Sequence, residues 1–156
     1  MDRFDALQAF ARVVESGSFT RAAHTLHMSR TTVTQLVQQL EARLRVKLLH
    51  RTTRSVQLTA DGADYYPRVV RLLADLEDAG RAHDIGKADP RWQAMVGGAP
   101  GMPPLAKGPG GGQQPWLVLP QGWRHEMASV ARLAHAAPLT RYLVGTHHGH
   151  GRPHFP

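Results

Sequence analysis

Apolar residues recur every three to four positions through most of the first 80 residues, which is the period of an amphipathic helix. This spacing predicts a first helix over about 2–15, a short second helix over about 20–26 and a third helix after Ser29, whose hydroxyl is a good N-cap. The third helix gathers its apolar residues on one face, at Val33, Leu36, Val37, Leu40 and Leu44. The pattern therefore predicts a small helical domain in the N-terminal half.

The opposite face of the third helix is polar and free of acidic residues. It carries Arg30, Thr31, Thr34, Gln35 and Gln38. Amide, hydroxyl and guanidinium groups near a helix N-terminus can pair with base edges in the major groove, whereas phosphates would repel a carboxylate there. The face indicates a recognition helix for double-stranded DNA, and a plain solvated surface is the alternative for any single residue.

A basic segment follows the third helix. Residues 46–58 have apolar ends around His-Arg-Thr-Thr-Arg, which predicts a β-hairpin wing with Arg51 and Arg54 near its tip. Between residues 29 and 58, six basic residues accompany one acidic residue, Glu41. Because phosphate contacts supply much of the affinity for DNA, we expect Arg51 and Arg54 to lie against the phosphate backbone.

Charge and cysteine content narrow the possible partners. The formal net charge of +7 favours a polyanionic partner. The absence of cysteine excludes a disulfide framework and a thiolate metal site. The N-terminus has no signal-peptide pattern, and no stretch approaches the roughly 20 apolar residues of a membrane span. We therefore expect a cytoplasmic protein without a membrane partner.

Residues 1 to about 80 resemble the N-terminal winged helix-turn-helix of the LysR-type transcriptional regulators. The resemblance lies in the segments LQAFARVVESGSFTRAA, SRTTVTQLVQQLEARL and LLHRTTRSVQLTADG. It implies a transcriptional regulator that binds DNA as a dimer or higher oligomer without a cofactor, with Arg51 and Arg54 in the wing. On the third helix it implies DNA contacts by Ser29, Arg30, Thr31, Thr34 and Gln35.

A fourth helix is predicted after Thr59. Six residues of this helix follow one another at intervals that alternate between four and three positions. They are Gly62, Tyr66, Val69, Leu73, Leu76 and Gly80. Such a seam is typical of helices that pair. We expect the helix over 59–80 to form a homodimer contact, and packing of the seam on its own domain is the alternative.

The composition changes beyond residue 80. Seven of the ten histidines lie there, and Gly and Pro make up twelve of the nineteen residues in 97–115. The Gly- and Pro-rich stretch predicts a loop. The alternating strands and helices of the effector-binding domain of LysR-type regulators are not apparent. We therefore expect no small-molecule inducer site in this chain.

Potential metal ligands occur in three segments of this second half. AHDIGKADPRWQ places His83 beside Asp84, GWRHE supplies His125, and THHGHGRP supplies His147 and His148. Imidazole and carboxylate suit a divalent hydrolytic metal ion. Adjacent histidines near a C-terminus also resemble an affinity tag, which is the alternative for the last segment.

Residues 76–156 resemble the HD phosphohydrolase superfamily, and most of all the HD nuclease domain of CRISPR-associated helicase-nucleases. The resemblance lies in HDIGKADPRWQ, GWRHE and YLVGTHHGHGRP. It implies two divalent metal ions (Mn, Mg, Ni or Fe) bridged by Asp84, with Lys87 against the scissile phosphate. The implied ligands are His83, Asp84, His125 and one of His147 or His148. The family pattern also has an upstream histidine and a downstream aspartate that find no counterpart here.

The sequence thus predicts a mainly α chain in three parts. These are a winged helix-turn-helix DNA-binding domain over 1–58, a linker and dimerisation helix over 59–80, and a partial all-α HD-type segment over 81–156 with a Gly/Pro-rich loop. The favoured hypothesis is a LysR-type transcriptional regulator without its effector-binding domain. The alternative is a metal-dependent HD-family nuclease or phosphohydrolase whose metal site is incomplete.

Overall fold

A computed structural model of the 156-residue chain describes residues 3–51, 56–99, 101–107, 119 and 122–147. The described helices are α1 (Arg3–Ser16), α2 (Phe19–Thr25), α3 (Arg30–Leu44), α4 (Ala60–Ala82), a 3₁₀ helix (Ile85–Ala88), α5 (Pro90–Val96), α6 (His125–Arg132) and α7 (Pro138–Thr146). The strands β1 (Leu49–Arg51) and β2 (Val56–Leu58) form a hairpin. The chain divides into an N-terminal unit, Met1–Ala74, and a C-terminal unit, Asp75–Pro156.

Helices α1, α2 and α3 surround the core of the N-terminal unit. Phe10 of α1 and Leu36 of α3 are among its largest buried side chains, and each such burial is worth about 1.5–3 kcal/mol. Ala22 and Ala23 of α2 are also buried, and their small side chains allow close helix packing. The apolar spacing of the sequence predicted this core correctly, except that Leu44 is 37% exposed at the end of α3.

The start of α3 has the predicted cap. The hydroxyl of Ser29 accepts a hydrogen bond from the amide of Thr32 at 3.0 Å, which satisfies one of the amides that a helix N-terminus leaves without a partner. The helix ends at Leu44, and the next residue, Arg45, caps it in a left-handed conformation with φ of 58°. The chain can therefore turn sharply from α3 towards the wing.

The wing is an antiparallel hairpin, as the sequence predicted. Leu49 pairs with Leu58, His50 with Gln57, and Arg51 with Val56. Residues 52–55, which include Arg54 and the predicted tip, lie outside the described residues. The apolar ends Leu49 and Leu58 pack on the core of the N-terminal unit, so the base of the wing is fixed.

A buried carboxylate joins α3 to this wing. Oε1 of Glu41 accepts hydrogen bonds from the amides of Leu48 at 3.0 Å and Leu49 at 3.2 Å. Its Oε2 accepts one from Nζ of Lys47 at 3.2 Å. Glu41 is only 3% exposed. Because a buried charge is costly unless hydrogen-bonded, this residue holds β1 in one position relative to α3.

Helix α4 begins after Thr59. The hydroxyl of Thr59 donates to the carbonyl of Lys47 at 2.6 Å and accepts from the amide of Gly62 at 2.9 Å. Thr59 therefore caps α4 as predicted and also ties this helix to the segment before β1.

Over residues 62–73 the apolar seam of α4 packs on its own unit, as the alternative expectation had it, and the predicted homodimer contact stays a prediction. Val69 is 2% exposed, and Tyr66 and Leu73 pack against the same core. The rings of Phe10 and Tyr66 meet edge to face with centroids 6.2 Å apart. A four-and-three spacing predicts an apolar stripe but does not specify what covers it, and here α1 supplies part of the covering surface.

The described part of the C-terminal unit is helical. Its 3₁₀ helix lies against α6, and Gly86 approaches so closely that a Cβ built on it would lie 1.9 Å from the carbonyl oxygen of His125. Val96 and Val144 are among its few buried apolar side chains, whereas His125, Glu126, Ser129 and Thr140 are buried polar ones. Polar contacts therefore make up much of the packing of this unit.

None of the helices in the described ranges is both long and apolar enough to span a lipid bilayer.

Gly62→Ala should destabilise the N-terminal unit by about 1–3 kcal/mol because the new Cβ overpacks its surroundings. It would lie 2.1 Å from the carbonyl oxygen of Leu48. Gly80→Ala is a matched control in the same helix, since a Cβ there meets nothing within 4 Å and alanine favours a helix. Urea unfolding followed by circular dichroism measures both. Equal midpoints for Gly62→Ala and the wild type would contradict the close packing of Leu48 on α4.

Glu41→Ala should also destabilise the N-terminal unit, by about 1–3 kcal/mol for each buried amide that loses its acceptor. Glu41→Gln keeps an acceptor oxygen on a side chain of the same length, so it should lose less. Urea unfolding of the two variants beside the wild type tests the order. An alanine variant as stable as the glutamine variant would show that the hydrogen bonds to Leu48 and Leu49 contribute little.

Candidate nucleic-acid interface and metal cluster

The polar face of α3 is accessible at the N-terminal half of the helix. Thr34 is half-buried there, and the exposed members are Ser29, Arg30, Thr31, Gln35 and Gln38. The first turn of α3 holds no acidic residue. The positive end of the helix dipole lies at the same place, so this face has the electrostatics of an anion-facing surface.

Two hydroxyls on this face already take part in local hydrogen bonds. The Ser29 hydroxyl caps the helix, and Oγ1 of Thr34 donates to the carbonyl of Arg30 at 2.8 Å. A hydroxyl oxygen keeps acceptor capacity after donating. Gln35 and Gln38 are therefore better placed than Thr34 to offer both a donor and an acceptor to a base edge.

The surface between α3 and the wing is cationic. Arg43, Arg45 and Lys47 are exposed. The one acid in this stretch, Glu41, is buried and hydrogen-bonded to backbone amides, so its carboxylate is not presented to a phosphate. Arg51 is the last residue of β1, and its side chain, like all of Arg54, lies outside the described residues.

Glu41 is a residue whose role sequence reasoning missed, because it was counted only as an isolated acid. The available signal was its position. Glu41 lies four residues after Val37 and three before Leu44, on the apolar side of α3. An acid on a buried helix face in a basic segment indicates an internal hydrogen-bonding role.

A second site lies in the C-terminal unit, where Asp84, His125 and His147 converge. Each offers one ligand atom, and the three atoms lie within 4.8 Å of one another. The Nε2 atoms of His125 and His147 lie 3.4 Å and 3.9 Å from Oδ1 of Asp84. Asp84 precedes the 3₁₀ helix, His125 begins α6 and His147 follows α7, so folding of the unit assembles the group.

Both imidazole rings are oriented through their Nδ1 atoms. Nδ1 of His147 lies 2.7 Å from the carbonyl oxygen of Val144, which can only accept, so this nitrogen carries the proton. Nδ1 of His125 lies 3.5 Å from Oε2 of Glu126. Contacts of this kind commonly fix the tautomer of metal-binding histidines. They direct both Nε2 atoms towards Asp84.

The two carboxylate oxygens of Asp84 differ in their hydrogen bonding. Its Oδ2 accepts a hydrogen bond from Nζ of Lys87 at 2.8 Å, whereas its Oδ1 is buried and has no hydrogen-bond partner among the described residues. Burial raises the pKa of Asp84, but the Lys87 hydrogen bond and the charges of His83, Lys87 and His125 outweigh it, so the pKa lies below its usual range. An ionised oxygen facing two imidazoles fits a cation.

An aromatic wall borders the group. The ring of Trp92 lies 5.2 Å from that of His125, and Trp123 stacks on Trp92 at 5.9 Å. The guanidinium of Arg91 lies 5.9 Å from the Trp123 ring centroid. The indole of Trp92 therefore lies against the ring of His125.

The structure brings together three of the five predicted metal ligands. His83 lies beside them, with Nε2 3.3 Å from Oδ2 of Asp84, but it is not a member of the converging group. The last turn of α4 holds its ring, through a 2.7 Å contact of Nδ1 with the carbonyl of Gly80. His148 lies outside the described residues.

Lys87 contacts Asp84 in this structure, although the sequence predicted a contact with a scissile phosphate. Lys87 lies three residues after Asp84 in the chain, and its side chain is 17% exposed. An ammonium so close to a carboxylate is held by charge attraction as well as by the hydrogen bond. Its predicted catalytic role remains a prediction.

Comparison with known proteins addresses the N-terminal unit. The family described as bacterial regulatory helix-turn-helix protein, lysR family, matches residues 4–63. The chain is 47% identical over 78 residues to the HTH-type transcriptional activator AaeR of Escherichia coli K12, covering 50% of this chain and 25% of that protein. It is 47% identical over 75 residues to the HTH-type transcriptional regulator CrgA of Neisseria meningitidis, covering 48% and 25%.

A solved structure agrees with these sequence matches. Full-length OxyR C199D from Pseudomonas aeruginosa aligns with a TM-score of 0.52 at 25% identity, covering 56% of this chain and 29% of that one. The chain spans about a quarter of the length of the curated relatives named above. The resemblance of the N-terminal part of the chain to LysR-type regulators is confirmed. Residues 4–63 form a LysR-type helix-turn-helix DNA-binding domain.

Proposed function

We propose that the protein is a transcriptional regulator that binds specific sequences in double-stranded DNA through α3 and the wing. The observation that carries this proposal is the exposed, acid-free polar face of α3 in a LysR-type domain. The curated relatives are transcriptional regulators. Their shared segment is the one that would contact DNA. The proposal requires no cofactor.

In this proposal the residues divide into base-reading and phosphate-binding groups. The amides of Gln35 and Gln38 can pair with an adenine edge, and the guanidinium of Arg30 can pair with guanine. Hydroxyl contacts would come from Ser29, Thr31 and Thr34. Arg51 and Arg54 would bind phosphates on the wing side, which positions α3 without reading sequence.

We also propose that the protein acts as a homodimer through α4. Because one face of α4 packs on its own core, a second copy would have to use the outward face. Val70 lies on this face and is 39% exposed. Two recognition helices would then read two half-sites about one turn of DNA apart.

Gln35→Ala should weaken binding to the preferred sequence by about 1–3 kcal/mol, since one bidentate base contact is lost. The preferred sequence comes from selection among randomised duplexes, and fluorescence anisotropy then gives the affinity. Gln39→Ala is a matched control on the same helix, because Gln39 lines a groove with Leu7 of α1 and Tyr65 of α4. Equal affinities of the two variants would count against base reading by α3.

Arg51→Ala should weaken binding to all duplexes by a similar factor and should lower the salt dependence of the affinity by about one unit of the logarithmic slope. Anisotropy titrations across a salt series measure that slope. His50→Ala, an exposed neighbour in β1, is the control and should keep the wild-type slope. An unchanged slope in Arg51→Ala would remove the wing from the phosphate contacts.

The convergence of Asp84, His125 and His147 favours a second function, divalent metal binding by the C-terminal unit. Two imidazoles favour Mn, Fe or Ni over Mg. When bound, such an ion can activate water for attack on a phosphate ester. Together with the resemblance to HD phosphohydrolases, this supports a metal-dependent nuclease or phosphohydrolase as the alternative activity.

His125→Ala should abolish Mn²⁺ and Ni²⁺ binding measured by isothermal titration calorimetry, because it removes one of three ligands. His135→Ala is the matched control and should retain most of the affinity, since His135 is an exposed histidine of the same unit outside the converging group. Wild-type protein that binds neither ion would overturn the proposal. In a parallel assay with labelled single- and double-stranded DNA, metal-dependent cleavage that is lost in Asp84→Ala would establish the nuclease.

A further inference from the structure

A metal site made from three separate segments depends on contacts that hold those segments together. Asp84 lies between α4 and the 3₁₀ helix, whereas His125 begins α6. Ligands must lie near their bound geometry in the absence of the ion, because any ordering on binding weakens the affinity. The contacts between α6 and residues 83–86 are therefore the ones that set the distance between Asp84 and His125.

Ser129 of α6 makes two of these contacts with one hydroxyl. Its Oγ donates to the carbonyl of His83 at 2.9 Å and accepts from the amide of Gly86 at 2.7 Å. The two backbone groups lie on either side of Asp84 in the chain. Ser129 is 0% exposed, so water cannot replace either hydrogen bond.

The helical spacing places the ligand and these contacts on one face of α6. His125, Ser129 and Arg132 follow each other at intervals of four and three residues, which aligns them on a helix. Nη1 of Arg132 donates to the carbonyl of Ile85 at 2.9 Å. The face that presents His125 thus also binds the segment that carries Asp84.

Glycine at position 86 permits this close approach. A Cβ there would lie 1.9 Å from the carbonyl oxygen of His125 and 2.7 Å from the amide nitrogen of Ser129. Any side chain at Gly86 would push the 3₁₀ helix away from α6. The close backbone packing and the Ser129 hydroxyl therefore act at the same point.

We propose that Ser129 is a positioning residue of the metal site, which sets the separation of Asp84 from His125 through the backbone groups of His83 and Gly86. The proposal rests on the metal binding proposed above. Ser129 itself donates no ligand. Ser129 affects the affinity for the metal ion because loss of its hydroxyl would allow the Asp84 segment to move relative to α6.

Ser129→Ala should weaken Ni²⁺ and Mn²⁺ binding by about 10- to 100-fold, the usual effect of removing a group that orients metal ligands. Isothermal titration calorimetry gives the affinities, and thermal unfolding gives the stabilities. Val96→Ala is the control for general destabilisation. Val96 is buried in α5 of the same unit, and its aliphatic side chain makes no hydrogen bond to the Asp84 segment. We expect this variant to stay within about threefold of wild-type affinity.

The outcomes separate the two proposals. If wild-type protein binds neither ion, the metal site and the role of Ser129 both fail. If wild-type protein binds and Ser129→Ala binds equally well, only the role of Ser129 fails. A loss of affinity in Val96→Ala as large as that in Ser129→Ala would assign the effect to general destabilisation and overturn the positioning role.

A measurement on the wild-type protein covers the case in which Ser129→Ala does not fold. The Gly86 amide donates to Ser129, so its hydrogen exchange reports whether this contact is closed. Metal binding should slow its exchange in proportion to metal occupancy if the closed contact and the metal site are one arrangement. Diamagnetic Zn²⁺ allows detection by NMR. Exchange at Gly86 that is unchanged by saturating Zn²⁺ would overturn the proposal.

Discussion

The N-terminal unit depends on one buried carboxylate. Burying Glu41 would be unfavourable without partners, since a charge removed from water needs hydrogen bonds to replace its hydration. The amides of Leu48 and Leu49 and the ammonium of Lys47 provide them. Because these donors precede or begin the wing, the same contacts that satisfy the charge also fix the wing to α3. Thr59 adds α4 to this junction through the carbonyl of Lys47. The proposed DNA-binding surface of α3 and the wing would need this rigidity to hold one register on the duplex.

The C-terminal unit uses polar groups for a related purpose. Its described apolar core is small, with Val96 and Val144 among its buried side chains, and Ser129 connects two segments through backbone groups. Asp84 keeps one oxygen bound to Lys87 and one facing two imidazoles. This asymmetry gives the carboxylate a fixed orientation while leaving a position where a cation would fit.

The two units carry different candidate sites, a DNA-binding face in the N-terminal unit and a cluster of potential metal ligands in the C-terminal unit. The DNA-binding domain is established by its family match and fold. Its proposed regulatory role does not depend on the metal site. The metal proposal in turn depends on three converging side chains rather than on a complete HD pattern. One ion needs only three or four protein ligands, and Asp84, His125 and His147 supply three.

The sequence by itself determined the helices α1 to α3, the Ser29 and Thr59 caps, the wing and the LysR-type resemblance. The helices, the caps and the wing follow from periodicity and local hydrogen bonding, which act over a few residues, whereas the resemblance rests on the matching sequence segments themselves. The sequence also identified Asp84, His125 and His147 as possible ligands. Only the tertiary structure decided that these three residues converge without His83, that residues 62–73 of α4 pack on the core of their own unit, and that Glu41 and Ser129 hold distant segments together. Such contacts depend on which surfaces meet after folding, and neither the spacing of apolar residues nor the identity of a polar residue specifies its partner.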